Sequence, residues 1–202
     1  MELQPSRLLA IRTDRSLIPP QWTLAQAIAQ SVGAGANLVL LAEEDLPRPV
    51  RLILARFVRD AVRNRCPWII VGDAPLAQEA GADGFCTDAS ITGSHCRACF
   101  LLHKVEDTFR RAGNDTGEAR LFIAELPWND PERALGELRA MCERMAGASV
   151  LAGTDPPLEY VGDIIASGAQ GVLLCAAAMD ARARGERVRA YADLLFRGIE
   201  SG

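Results

Sequence analysis

Eight short apolar runs recur along the chain, at 8–11, 38–42, 68–71, 84–86, 99–102, 121–124, 150–152 and 172–175. Their residues are continuously apolar, as in strands covered on both faces. Four of the runs follow the same kind of joint: Gly35-Ala36-Asn37, Gly81-Ala82-Asp83-Gly84, Gly147-Ala148-Ser149 and Gly168-Ala169-Gln170-Gly171. A glycine at such a joint lets a helix stop in the left-handed conformation and the chain turn at once into a strand. Repeated helix–glycine–strand joints imply repeated βα units and a parallel sheet.

Between the runs the pattern changes to helical spacing. Val50, Ile53, Leu54, Phe57, Val58, Ala61 and Val62 share one face, which the pattern predicts to be inward. Arg51, Arg59, Asp60 and Arg63 take the other. Asp130-Pro131 reads as an N-cap followed by proline in the first helical position, opening a helix that buries Leu135, Leu138, Met141, Cys142 and Met145. Asp155-Pro156 repeats the device ahead of Leu158, Val161, Ile164 and Ile165, and a last helix carries Val188, Tyr191, Ala192, Leu195 and Ile199. One connection breaks the rhythm. Residues 87–98 are too few for a full helix and its turns, so a loop or single helical turn is expected there. Asn114-Asp115-Thr116-Gly117 reads as a polar turn before the sixth strand. The expected fold is α/β, one (β/α)8 TIM barrel over residues 1–202, with the helix between strands 4 and 5 short or missing.

Composition narrows the class. Of 202 residues, 49% are hydrophobic and 24% charged, as in an ordinary globular chain. The net charge of -4 gives no footing for nucleic acid or an anionic membrane surface. No stretch approaches the run of about 18 apolar residues that spans a bilayer. The first residues, Met-Glu-Leu-Gln-Pro, have no basic region leading into an apolar one, so no secretory signal is expected. Six cysteines in that setting read as reduced thiols in a cytoplasmic protein. The expected partner is a small-molecule ligand, with a homodimer left open.

The order of motifs resembles the thiamine-phosphate synthase/TenI family. Ile11-Arg12-Thr13-Asp14-Arg15-Ser16-Leu17 is similar to that family's first-strand signature, and Leu40-Leu41-Ala42-Glu43-Glu44-Asp45-Leu46-Pro47 to its second. Ile69-Ile70-Val71-Gly72-Asp73, Glu79-Ala80-Gly81-Ala82-Asp83-Gly84-Phe85 and Gly168-Ala169-Gln170-Gly171-Val172 with Ala176-Ala177 follow at matching places, covering nearly the whole chain. The resemblance implies a barrel binding a phosphorylated ligand, with Mg²⁺ if synthase activity is retained and no other cofactor. It also exposes departures. Ala42 and Glu44 stand where synthases of the family hold diphosphate with arginine and lysine. Gly72 and Ala74 replace an asparagine and an arginine, leaving Asp73. Pyrophosphate departure needs cations to receive its charge, and these exchanges invert the local sign. Synthase activity is therefore expected to be weak or lost. Glu125 stands where the tautomerase branch uses a histidine, so a thiazole tautomerase-like isomerase is one alternative. A non-catalytic module binding a ligand or a protein is the other.

Barrel sites lie at the C-terminal ends of the strands. The polar residues expected there are Thr13, Asp14, Arg15, Glu43, Glu44, Asp73, Thr87, Asp88, His103, Lys104, Glu125, Thr154 and Asp155. The catalytic candidates are Asp73, Glu125 and His103. The ligand and phosphate candidates are Gly153, Thr154, Ala176, Ala177, Arg15 and Glu44, where backbone N–H groups after strands 7 and 8 can cradle phosphate without a particular side chain. For Asp155 a helix-capping role is preferred, because Pro156 follows. For Asp14 and Arg15 a structural ion pair weighs as much as a site role. His95, Cys96 and Cys99 are candidate metal ligands by their Cys-x-x-Cys spacing, though Cys99 also falls in a strand and reads equally as core.

Overall fold

The apolar runs become strands where the pattern places them, and the barrel departs from expectation at one strand. The computed structural model describes residues 7–91, 94–101, 120–180 and 184–196, and of residues 88–101 and 120 the backbone alone. Strands β1 (Leu8–Arg12), β2 (Leu38–Leu41), β3 (Trp68–Val71), β4 (Gly84–Ile91), β5 (Ser94–Leu101), β6 (Arg120–Glu125), β7 (Ser149–Gly153) and β8 (Gly171–Leu174) close in chain order. Seven run parallel. The exception is β5, which is antiparallel to both β4 and β6.

The expectation of eight parallel βα units is thus corrected, and the eightfold repeat is not complete. The physical reason lies in the connection. Only two residues separate Ile91 from Ser94, whereas a parallel neighbour needs a crossover of about a dozen residues or more. With so short a link the chain can only double back, so the expected absence of a helix here comes with a reversal of strand direction. β4 and β5 are both longer than the apolar runs suggest, because the reversal lets them pair from Gly84↔Leu101 to Ile91↔Ser94.

Successive residues of the parallel strands face opposite sides of the sheet. Leu38, Leu40, Ile69, Leu121, Ile123 and Leu173 fill the barrel interior. Val39, Leu41, Ile70, Ala152, Val172 and Leu174 pack outward under the helices. This two-sided burial accounts for runs with no polar alternation.

The helices are α1 (Leu24–Gly33), α2 (Arg48–Val62), α3 (Ala74–Ala80), α4 (Pro131–Arg144), α5 (Val161–Ala166), α6 (Ala176–Met179) and α7 (Arg184–Phe196). Asp130 caps α4 by accepting from Arg133 N, with Pro131 inside the first turn, as the sequence predicts. Helix α2 is a correction. Its buried stripe is Arg51, Ala55, Val58 and Val62, while Val50, Ile53 and Phe57 face solvent. The helix is rotated by roughly one residue, about 100°, from the face its apolar positions suggest. Arg51 drives the rotation, because its guanidinium donates to Val71 O at 2.6 Å and lies 3.5 Å from Asp73. A strand-end carbonyl and a nearby carboxylate together draw inward an arginine that periodicity alone sends outward, although its Nε is buried without a hydrogen-bond partner.

Candidate site at the barrel mouth

The C-terminal ends of β1, β2, β3, β6, β7 and β8 converge on one mouth, and three arginine-centred groups occupy it. The first is built on β1 and β6. Arg12, the last residue of β1, lies 3.2 Å from Glu125 Oε1 at the end of β6, and Thr154 donates from Oγ1 to the other oxygen at 2.8 Å. Cys175 lies against the same guanidinium. Burial pushes its thiol upward, and Arg12 opposes that shift without cancelling it. For Arg12 burial acts to lower the pKa, but Cys175, Glu125 and Asp155 outweigh it, so the guanidinium is held charged more firmly than usual.

The second group ties β1 to β2. Glu43 is 2% exposed and accepts from Arg15 N at 3.1 Å and from Arg15 Nη1 at 2.8 Å. The Arg15 guanidinium also forks onto Asp45, with one arm at 2.6 Å and the other closer still. Bonding to Asp45 and then Glu43 raises the Arg15 pKa, and the same contact lowers that of Asp45. Asp14 accepts from Ser16 N at 3.0 Å and so caps the short 3-10 turn Arg15–Leu17. Thr13, 1% exposed, receives Ala42 N on its hydroxyl at 2.9 Å. Glu44 folds over Gly72. A Cβ there would stand 2.3 Å from Glu44 Oε1, which a shift of that exposed side chain could relieve, whereas the backbone φ of +79° is what favours glycine.

The third group surrounds Asp73. Its carboxylate accepts from Leu76 N at 2.8 Å as the cap of α3, and it lies 3.5 Å from Arg51 and 3.8 Å from Arg48. The arginines Arg12, Arg15, Arg48 and Arg51 at this end of the barrel therefore all have carboxylate partners.

Asp155 is the residue whose role the sequence misassigns. It does not cap the helix that follows Pro156. Its φ is +52°, and its carboxylate turns back across the mouth to the start of α6. There Oδ1 accepts from Cys175 N at 2.8 Å and Ala177 N at 3.1 Å, and Oδ2 accepts from Ala176 N at 2.8 Å. Anchors on both sides hold it. Leu126 N and Trp128 Nε1 donate to Gly153 O, both at 3.1 Å, Asp155 N donates to Leu173 O at 2.9 Å, and the Tyr191 hydroxyl donates to Pro156 O at 2.5 Å. Three backbone N–H groups converging at a strand-to-helix turn make an anion cradle, and here the chain's own carboxylate sits in it.

The mouth brings together Glu125, Thr154, Gly153, Ala176 and Ala177, with Arg15, Glu44 and Asp73 around its other side. Arg12 and Cys175 were not singled out by sequence reasoning. Arg12 sits inside the first-strand motif, so its place at a strand end was the available signal. Cys175 reads as one more apolar strand residue. His103 and Lys104 lie outside the described residues. β5 runs the other way, and Leu101 pairs with Gly84 at the opposite end of the barrel. The same reversal brings the start of β5 to the mouth side, where His95 pairs with Ser90, Cys96 with Ala89 and Ala124, and Cys99 with Cys86. Cys96 and Cys99 lie on one extended strand, which separates their backbones by about 10 Å. The side chains of Thr87's neighbours in β4, from Asp88 onward, fall outside the described ones.

No protein-family model matches the sequence, and no curated protein matches it. Among solved structures, thiamine phosphate pyrophosphorylase from Pyrococcus furiosus superposes with a TM-score of 0.68, over 96% of this chain and 98% of that one, at 15% identity. The chain has the fold of thiamine phosphate pyrophosphorylase. That likeness agrees with the barrel plan read from the sequence. At such low identity it speaks for the backbone plan alone, and the pyrophosphorylase fold leaves the chemistry of the mouth to its own residues. Among the described residues no helix is long and apolar enough to cross a membrane.

Proposed function

We propose that this chain is a diverged relative of thiamine phosphate synthase that binds a small ligand at the barrel mouth, with synthase turnover lost or very weak. The observation that carries the reading is the Asp155 carboxylate on the amides of Cys175, Ala176 and Ala177. A phosphoryl group entering that turn would have to displace a covalently tethered anion held by three hydrogen bonds. Among the described residues, the arginines at the mouth that could hold a diphosphate are paired with Glu125, Glu43, Asp45 and Asp73. Electrostatics therefore favour a neutral or cationic ligand over a phosphorylated one.

Mg²⁺ fits these residues poorly. Asp73, the aspartate that remains at the matched position, already caps α3 and faces two guanidiniums, so its negative charge is offset before a hard cation arrives. Glu125 is poorly set up as the base of a tautomerase, since Arg12 and Thr154 engage both of its oxygens.

The test has two arms. Purified protein is given the pyrimidine diphosphate, the thiazole phosphate and Mg²⁺. Each missing charge-assisted contact removes on the order of 2–4 kcal/mol of transition-state stabilisation, so turnover is expected to stay below roughly one per minute. Faster turnover overturns the reading. In the second arm, thermal shift compares unphosphorylated thiazole and thiamine with their phosphates. Clear preference for the phosphates refutes the closed cradle.

A further inference from the structure

The Cys-x-x-Cys motif finds no use within its own strand, since Cys96 and Cys99 fall on opposite faces of β5. The reversal of β5 gives one of them another neighbour. Cys99 stands directly opposite Cys86 in the antiparallel β4–β5 ladder. Cys86 turns its carbonyl the other way, to β3, where it accepts from Gly72 N at 2.7 Å. The N–H and C=O of one strand residue point to the same side, so Cys86 and Cys99 share no ladder hydrogen bond. Such pairs bring their Cα atoms to about 4.5 Å, with side chains closer than in hydrogen-bonded pairs. That separation lies within the range of about 4.4–6.8 Å that a disulfide spans.

The faces agree. Cys86 is fully buried in the barrel interior. Directly opposed residues of an antiparallel pair share a face, which places Cys99 on the interior face as well. Across β6, Cys99 is opposed to Leu121, a member of the same interior cluster. Cys86 is also the last residue of β4 that pairs with β3, through Val71. Beyond it, residues 87–91 pair with β5 and carry the hairpin past the end of β3 on the mouth side. We propose that Cys86 and Cys99 are a redox-active pair whose disulfide fixes the base of this hairpin, a property independent of what the mouth binds.

The oxidant is a peroxide. One thiolate attacks a peroxide oxygen and becomes a sulfenic acid as hydroxide leaves. The second thiolate attacks the sulfenic sulfur, the S–S bond forms and a second hydroxide departs. The two thiol protons and the two hydroxides make two waters, and two electrons pass from the sulfurs to the peroxide. The bond closes a loop over residues 87–98 and ties β4 to β5 where support from β3 ends. Restricting the unfolded chain in this way also stabilises the folded one.

Peptide mapping tests the proposal. The folded, reduced wild-type chain is exposed to hydrogen peroxide, and its remaining thiols are alkylated in urea. Cleavage before aspartate and after arginine and lysine then releases peptides 83–87 and 98–104, which carry Cys86 and Cys99 as their sole cysteines. The expected result is these two peptides joined as the main cross-link, with two of the six thiols lost. The oxidised chain is expected to melt about 5–10 °C higher, a gain that dithiothreitol reverses. Cys96→Ser should keep both the cross-link and the gain, and Cys99→Ser should lose both. Oxidation that leaves 83–87 and 98–104 unlinked overturns the proposal, whether the thiols stay reduced, pass on to sulfinic acid or join Cys99 to Cys96. So does a linked chain that melts no higher than the reduced one.

Discussion

Replacing Asp155 with alanine removes one side chain and strands three donors. The lost contacts are Cys175 N and Ala176 N at 2.8 Å and Ala177 N at 3.1 Å. Hydrogen bonds to a charged acceptor are each worth about 1.5–3 kcal/mol net, and a buried donor left unpaired costs about 1–3 kcal/mol. The three positions are not equivalent. Cys175 is buried, Ala177 half-buried and Ala176 exposed, so water can replace the carboxylate at one of them and partly at another. The φ of +52° adds to the cost, because alanine tolerates that conformation less well than aspartate does. The sum is a loss of about 3 kcal/mol, or roughly 6–12 °C in Tm for a chain of this size. Asp155→Asn, which keeps a neutral acceptor, should fall between. Differential scanning calorimetry measures all three proteins in chloride and in phosphate at equal ionic strength. Phosphate should raise the Tm of the alanine variant by several degrees more than that of the wild type, since only the variant has open donors. A variant melting within about 1 °C of wild type, or an equal phosphate effect on both, refutes the argument.

Two further outcomes follow from buried groups elsewhere. Burial pushes the thiols of Cys66 and Cys142 up to about 11 from 9.0; the unfolded chain releases these protons near pH 9 and the folded one near pH 11. Stability is thus complete below pH 9 and falls between pH 9 and 11, by about 1.4 kcal/mol per pH unit for a fully buried thiol. The Tyr191 phenol, pushed up to about 12 by burial, extends the decline. Melting under reducing conditions from pH 8 to 11 checks this, and a Cys66→Ala variant should show a shallower slope; a flat wild-type profile counts against it. Arg51→Ala should cost about 2–3 kcal/mol in urea denaturation, through loss of the Val71 O contact, the Asp73 pair and the buried stem. A change below about 0.5 kcal/mol would mean that Arg51 merely accompanies the rotation of α2.

The barrel was legible in the sequence because its cause is local and repeated. A run such as Trp68–Val71, apolar on both faces, calls for cover on both sides, here a barrel interior and a helical layer. A joint such as Gly81, at φ +69°, announces a helix end through backbone sterics. Asp130-Pro131 caps α4 as read, because a cap is settled within a few residues. The missing helix after β4 was also legible, as a shortage of residues. The direction of β5 was not, because an apolar run has the same composition whichever way it points.

What only the tertiary structure decided involves partners far apart in the chain. Arg51 is inward because a β3 carbonyl and Asp73, some twenty residues on, are there to receive it. Asp155 shares its Asp-Pro spelling with Asp130, yet leaves its own helix for amides twenty to twenty-two residues away. Periodicity and capping rules weigh neighbours within a turn or two. They cannot see a buried donor brought near by folding, and a buried donor or charge without a partner costs more than a preferred helix face or a local cap contributes.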